Sequence, residues 1–453
     1  MIAASSSNLL AAREQMAFTL AFHIPFACMG IAFPLMVLIA NWLGVRGDAD
    51  ALRLARRWSK VMAVTFAVGA VTGTVLSFEL GLLWPGMFSR YGAVFGIPFG
   101  IEGLFFFTEA IFIAIYIYGW KRLPPRLHLL SAVPIVIAGI GGAFSVVAAN
   151  SWMNQPGGFT VGANGKITSV NTWDVLFNNA TPYEVPHMLL AAYIVAGFLA
   201  SSVYAVGWLR GRRDRIHRLG FTIPFVVAAI ATPIQLFVGD TAARAIAKDQ
   251  PTKFAAMEYV QDTSTHVPEW ILGFYNGGHP KGGISIPGLD SFLVGFSTGT
   301  KVTGFNSVPT SDQPGPKTLL HWSFDVMVFI GTGFLLLAIW WLFVLWRRRA
   351  LPKSPWFWRC CSVTGVLAVV ALWCGWIVTE VGRQPWIVYG KLRTADAVTR
   401  SGGIWITFAV LFAIYVGLFI GTVVLLRALA RRWRMGDDVD DVPYAPPASE
   451  SAR

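Results

Sequence analysis

The residues best equipped for chemistry in this chain lie within apolar stretches or at their ends. His23, Glu79, Glu102, Glu109, His187, Met327, Glu380 and Arg383 each interrupt or close a hydrophobic run. Ionisable groups in such positions are costly to remove from water and mark functional sites by default. Two histidines, a methionine and several carboxylates with aromatic neighbours can ligate haem iron, and a His/Met pair makes a low-spin, electron-transferring haem. The stretch "GWIVTEVGRQPWIVYG" (375–390) brings Glu380 and Arg383 close together, flanked by Trp376 and Trp386. The planar fork of arginine matches a carboxylate bidentately, so Arg383 suits a haem propionate or Glu380 itself, and Glu380 is a candidate iron ligand. Glu102 and Glu109 are separated by about two helical turns, roughly 10 Å along one face. With Glu109 the deeper, the pair reads as a proton route leading inward from a redox site.

Each residue also has a plainer reading. An isolated intramembrane histidine such as His23 or His187 often bonds a neighbouring helix, and Met327 alone would be a packing residue that fills an irregular gap. Glu380 with Arg383 could be an interfacial ion pair, and Glu79 reads as structural. Lys253 and Glu258, in a connecting segment, would ordinarily be solvated. Their joint placement on one side of the membrane raises the functional reading above these.

The elements that must position these residues are helices. The chain has 453 residues, 55% hydrophobic and 13% charged, with mean hydropathy +0.56, which is the composition of a polytopic membrane protein. A span needs ~20 apolar residues. Runs of that length occur at roughly 15–43, 58–84, 93–119, 127–149, 185–209, 219–240, 319–346, 357–381 and 402–427. The expected fold is therefore all-α with nine transmembrane helices, the first of them a permanent span. The net charge of +12 does not indicate nucleic acid, because the basic residues cluster between apolar spans. "RLARRWSK", "KRLPPR", "RGRRDRIHR", "RRRALPKS" and "RALARRWR" fall on every second connection and after the last span. That alternation places them in the cytoplasm, the N-terminus in the periplasm and the C-terminus in the cytoplasm. Residues 1–435 form the membrane domain, and the outer segment 241–318 within it is long enough to be functional. Residues 436–453 form an acidic, Pro-rich tail of disordered composition. Cys28, Cys360, Cys361 and Cys374 contain no CxxC pair, so neither a disulfide framework nor an iron–sulfur site is suggested.

In "TEVGRQPW" (379–386) the chain resembles subunit I of cytochrome bd-type quinol oxidases. "TLAFHIPF" (19–26), "FGIPFGIEGLFFFTEAIF" (95–112), "AANSWMNQP" (148–156), "VPHMLLAAY" (185–193) and "GDTAARAIAKDQPTKFAAMEY" (239–259) accompany it in the family's order. The match runs through the whole chain apart from the tail. The resemblance implies a subunit of a quinol:oxygen oxidoreductase in the bacterial inner membrane, oxidising ubiquinol or menaquinol at the periplasmic side. Oxygen would be reduced with cytoplasmic protons, so that proton motive force arises without pumping. It implies low-spin haem b on His187 and Met327. It also implies two high-spin haems, a haem b and a haem d (or a further haem b in place of d), served by His23 and Glu380. Glu102 would stand beside the oxygen-reducing haem as ligand or proton donor, and Glu109 would continue the proton path. Arg383 and Trp376 would lie between the haems, and Lys253 and Glu258 would bind quinol, Glu258 accepting a hydroxyl proton. A second membrane subunit, subunit II, and a small single-span subunit would complete the complex.

Two departures stand out. Family members carry an arginine where "HWSFDVMV" places Asp325. The 241–318 segment is short, as in the short-loop, cyanide-insensitive-like branch. Among rivals, a haem–copper oxidase needs more intramembrane histidines than this chain supplies: it has seven, of which His128, His217, His266 and His279 fall in or beside loops. A complex III-type cytochrome b needs paired histidines on two helices. A secondary transporter would predict repeats and broken helices near the midplane, whereas the polar cluster here is off-centre.

Overall fold

A computed structural model of the chain describes residues 2–163, 165–436 and 444. Its helices are α1 (Ile2–Val45), α2 (Ala49–Leu83), α3 (Pro85–Gly119), α4 (Pro125–Leu130), α5 (Val133–Asn154), α6 (Thr172–Leu176) and α7 (Thr181–Leu209). There follow α8 (Arg215–Asp249), α9 (Pro251–Glu258), α10 (Leu289–Gly295), α11 (Lys317–Arg348), α12 (Pro355–Gly382), α13 (Thr394–Ala397) and α14 (Ile404–Met435). Among the described residues, nine stretches are long and apolar enough to span a bilayer, α4 and α5 together forming the fourth. The expected number of spans is therefore found.

Local chemistry sets where the helices begin and end. Asp48 and Asp214 cap α2 and α8 by accepting hydrogen bonds from the backbone N–H groups of Ala51 and His217, which satisfies donors that a helix start leaves free. Pro85 and Pro355 open α3 and α12, where a missing N–H costs nothing. Gly436 closes α14 with φ of 82°, a left-handed conformation that suits glycine.

The helix ends extend beyond the apolar runs. α8 continues through "GDTAARAIAKD" to Asp249, so the first part of the 241–318 segment prolongs α8 and α9 follows it. The rest of that segment holds two nested antiparallel hairpins: β3 (Glu269–Ile271) pairs with β6 (Ile284–Ile286), enclosing β4 (Phe274–Asn276) and β5 (His279–Lys281). A further hairpin, β1 (Phe159–Val161) with β2 (Ile167–Val170), lies between α5 and α6. Strands β7 (Trp386–Val388) and β8 (Leu392–Arg393) follow α12. These connections share one end of the bundle, called here the loop end. Gly436 apart, the acidic tail lies outside the described residues except for Tyr444.

Helices α1, α5 and α7 form the centre. α7 packs on α8, α12 and α1, and α1 packs on α2 and α5. Half of the apolar window of α7 is buried, against 11% for α14. Large apolar side chains on α3, α11 and α14, including Leu104, Phe107, Leu342, Phe343, Ile406 and Phe419, face outward, as lipid- or subunit-facing surfaces do.

Candidate functional site

His23 on α1 shows most clearly how a side chain is prepared for a ligand. Its Nδ1 lies 2.9 Å from Thr72 Oγ1 on α2. The Thr72 hydroxyl spends its one proton on its own helix, donating to the carbonyl of Val68 at 2.9 Å. With that proton so engaged, the hydroxyl can accept from His23 Nδ1–H, the tautomer that leaves the lone pair on Nε2. A histidine held through one N–H while the other nitrogen offers its lone pair is the arrangement of a metal ligand. Gly73 makes it possible, since a Cβ there would sit 2.9 Å from His23 Cε1.

The other two expected ligands also lie against glycine. At Gly239 of α8 a Cβ would come within 3.3 Å of His187, and at Gly375 of α12 one would come within 3.2 Å of Met327 Sδ. One ring nitrogen of His187 meets the Gln235 amide at 3.2 Å. Its Nδ1 and the Gln235 Oε1 are buried without hydrogen-bond partners. Buried polar atoms are seldom left so. His187 thus faces α8 and Met327 faces α12.

At the end of α12, Arg383 Nη2 pairs with Glu380 Oε2 at 2.5 Å, and Asn150 of α5 donates to Glu380 Oε1 at 2.8 Å. Arg383 is 2% exposed, yet its Nε and Nη1 have no partner. Two donors of a buried guanidinium therefore remain for an acceptor such as a propionate. The ion pair expected between Glu380 and Arg383 is present, and it leaves most of the arginine fork unused. Trp376 is half-buried against the main apolar core.

Lys253 and Glu258 are not solvated. They are 2% and 3% exposed, because α9 tucks its face beneath the loop against Phe305 and Leu320. Lys253 lies on Gly382, where a Cβ would be 2.9 Å from its Cγ, so the glycine of "GRQPW" admits a lysine stem. Burial pulls Lys253 down to about 8, with the Glu184 carboxylate opposing. Glu184 accepts from Asn154 at 3.0 Å, and Gln250 donates to the Asn154 carbonyl at 2.9 Å. The motif "AANSWMNQP" thus supplies two asparagines, Asn150 and Asn154, to neighbouring carboxylates. Burial and the charges of Glu269, Asp290 and Asp325 hold Glu258 well above the usual carboxylate range.

Glu109 is buried with Oε1 unpartnered, and faces Gly30 of α1, where a Cβ would be 3.6 Å away. Glu102 is half-buried on the same helix. Glu79 is 4% exposed and accepts from Gln15 at 2.7 Å and Thr19 at 2.6 Å.

Several residues here were not singled out from the sequence: Gln235, Glu184, His321, Glu269 and Asp290. Asp325 takes the backbone N–H of Leu272 at 2.6 Å and lies 3.5 Å from His321 Nε2. It anchors the loop to α11 through the Leu272 bond. Both nitrogens of the fully buried His321 meet backbone carbonyls, those of Met257 and Leu272. The repeated i, i+4 spacing in "HWSFD" was the available signal.

The comparisons with known proteins agree. The family described as Cytochrome bd terminal oxidase subunit I matches residues 11–433. One subunit I of Bacillus subtilis is 32% identical over 443 residues, covering 96% of this chain and 99% of its own length. The cytochrome bd ubiquinol oxidase subunit 1 of the same organism is 30% identical, with 97% of each chain covered. The solved bd oxidase from Geobacillus thermodenitrificans superposes with a TM-score of 0.88 at 34% identity, covering 94% of this chain and 98% of that one.

Proposed function

The chain belongs to the cytochrome bd terminal oxidase subunit I family, and from that premise we propose how its residues divide the work. Membership makes it the multi-pass subunit I of a quinol oxidase of the bacterial inner membrane, with haem cofactors and a subunit II partner, and sets aside the transporter reading. When bound, the haems carry electrons from quinol and reduce oxygen to water.

His187 and Met327 would hold a low-spin haem b. His23 and Glu380 would serve the high-spin haem b and the third haem, d or b. Two unspent donors of Arg383 would take propionate, with Trp376 between the macrocycles. Lys253 donates to quinol and Glu258 accepts its hydroxyl proton, in the segment that follows α8. Glu102 and Glu109 pass protons inward from the opposite face, Glu102 standing next to oxygen chemistry. The loop end faces the periplasm, and the arginine-rich connections and C-terminus face the cytoplasm, as the charge alternation requires. Protons are then released outside and consumed from inside without a pump. The outward apolar faces of α3, α11 and α14 suit subunit II and a small single-span subunit.

The His23–Thr72 hydrogen bond carries this reading, since it is prepared for a ligand that the chain itself does not supply. Replacing His187 by Ala tests the ligand assignment separately. The reduced-minus-oxidised spectrum of the assembled complex should lose its low-spin haem band, and an unaltered band would refute that assignment.

A further inference from the structure

Three carboxylates meet in the loop, outside the spanning helices: Glu258 at the end of α9, Glu269 on β3 and Asp290 in the first turn of α10. One oxygen from each lies within 4.8 Å of the other two. Asp290 is 1% exposed and Glu258 3%. Both oxygens of Asp290, and Oε2 of Glu258 and of Glu269, are buried without a hydrogen-bond partner. A buried aspartate ordinarily accepts several hydrogen bonds, because desolvation is otherwise uncompensated. Asp290 accepts none and is aimed at two further carboxylates. Asp325, whose Oδ2 is already taken by Leu272 N–H, adds negative charge nearby.

We propose that Glu258, Glu269 and Asp290 bind a hard divalent cation, calcium by preference, which staples α9, β3 and α10 together. Calcium takes oxygen ligands at about 2.3–2.6 Å, so ligands on opposite sides of it are up to about 5 Å apart, and the observed spacing fits within one coordination sphere. Magnesium demands near-ideal octahedral geometry and keeps several waters, which three converging protein carboxylates suit less well. The donors are all oxygen, which disfavours zinc and copper. The loop has need of a staple. Its strands are three residues each, too short to be stable alone. The four free cysteines, Cys28, Cys360, Cys361 and Cys374, all lie on spanning helices and offer it no disulfide.

Its catalytic consequence rests on the quinol reading. With one Glu258 oxygen on the cation, the other stays ionised and free to accept from quinol.

The test is equilibrium dialysis of radioactive calcium against the assembled, EGTA-stripped complex in detergent. The wild type should bind one calcium more than Asp290→Asn, and Glu269→Gln should weaken that ion's binding by about tenfold or more. Terbium(III) emission excited through tryptophan (Trp270 adjoins Glu269) should be larger for the wild type and be displaced by calcium. If Asp290→Asn does not assemble, Glu269→Gln and the terbium signal decide. Equal calcium uptake by all forms, or no displaceable terbium emission, would overturn the proposal and leave three carboxylic acids sharing protons. Binding is read without turnover. Failed binding with normal quinol oxidation counts only against the cation, whereas calcium bound by the wild type together with normal quinol oxidation by Glu258→Gln counts only against the quinol reading.

Discussion

His128 and His187 are both histidines in a predominantly apolar bundle, at opposite ends, and their surroundings differ. His128, at the arginine-rich end, is fully buried and has both nitrogens engaged. Nε2 meets the Tyr116 carbonyl at 2.7 Å, and Nδ1 meets the Tyr444 hydroxyl at 2.5 Å and Asn41 at 3.3 Å. Its ring stacks between Tyr116 and Trp120. His187 instead leaves Nδ1 buried and alone. The contrast extends beyond the pair. Among the described residues, the buried polar atoms without partners belong to Arg13, Ser151, His187, Gln235, Arg244, Gln250, Glu258, Glu269, Asp290 and Arg383 near the loop end, to the deeper Glu109, and to Trp341 alone at the far end. An unmade buried hydrogen bond costs about 1–3 kcal/mol, so atoms of this kind concentrated at one end give that end hydrogen-bonding capacity that the chain's own side chains leave unused. The arginine-rich end satisfies its buried polar groups with its own side chains, whereas the loop end keeps several in reserve.

Substitutions on the two sides of this contrast should behave differently. The largest effect is expected deep in the proton route. Glu109→Gln should lower oxygen uptake about 10²-fold while haem content, measured by pyridine haemochrome, stays near normal; loss of all haem would make Glu109 structural. An intermediate effect is expected at Lys253. Burial holds it at about 8, so it is an ammonium at lower pH and becomes a neutral amine as pH rises through that value. KM for quinol should therefore climb by up to about tenfold between pH 7 and 9, and Lys253→Met should start high and stay flat. A Lys253→Met profile that still climbs would assign the titration elsewhere. The smallest functional effect belongs to the arginine-rich end. His128→Asn should cost about 1–3 kcal/mol of stability, visible as a lower thermal midpoint, with the haem spectrum unchanged. A spectral change there would dissolve the distinction between the ends.

The spans were legible because a run of ~20 apolar residues has few other fates. The ligand candidates were legible because polarity inside such a run is conspicuous. Legibility failed outside the apolar runs. "GDTAARAIAKD" lies past the apolar run yet is helix-compatible, and α8 carries it to Asp249 because helix propensity and the backbone ladder do not require apolar side chains. The plainer reading of Lys253 and Glu258, a solvated pair, fails because α9 is buried against Phe305 and Leu320, which lie far along the chain. Glu269 and Asp290 carried no signal: they approach Glu258 only through hairpins in an irregular, glycine-rich segment without periodicity. Asp325 was visible only as a departure, and its role appeared once Leu272 was seen bonded to it.

The central claim is that helices α1, α7, α11 and α12 bring His23, His187, Met327, Glu380 and Arg383 to the loop end in order to hold haem. A cryo-electron-microscopy map of the complex with subunit II tests it most directly. The map should show macrocycles at that end, with His23, His187 and Met327 at bonding distance from iron and a propionate on the free donors of Arg383. Macrocycles at the arginine-rich end, or these side chains packed against protein alone, would contradict it.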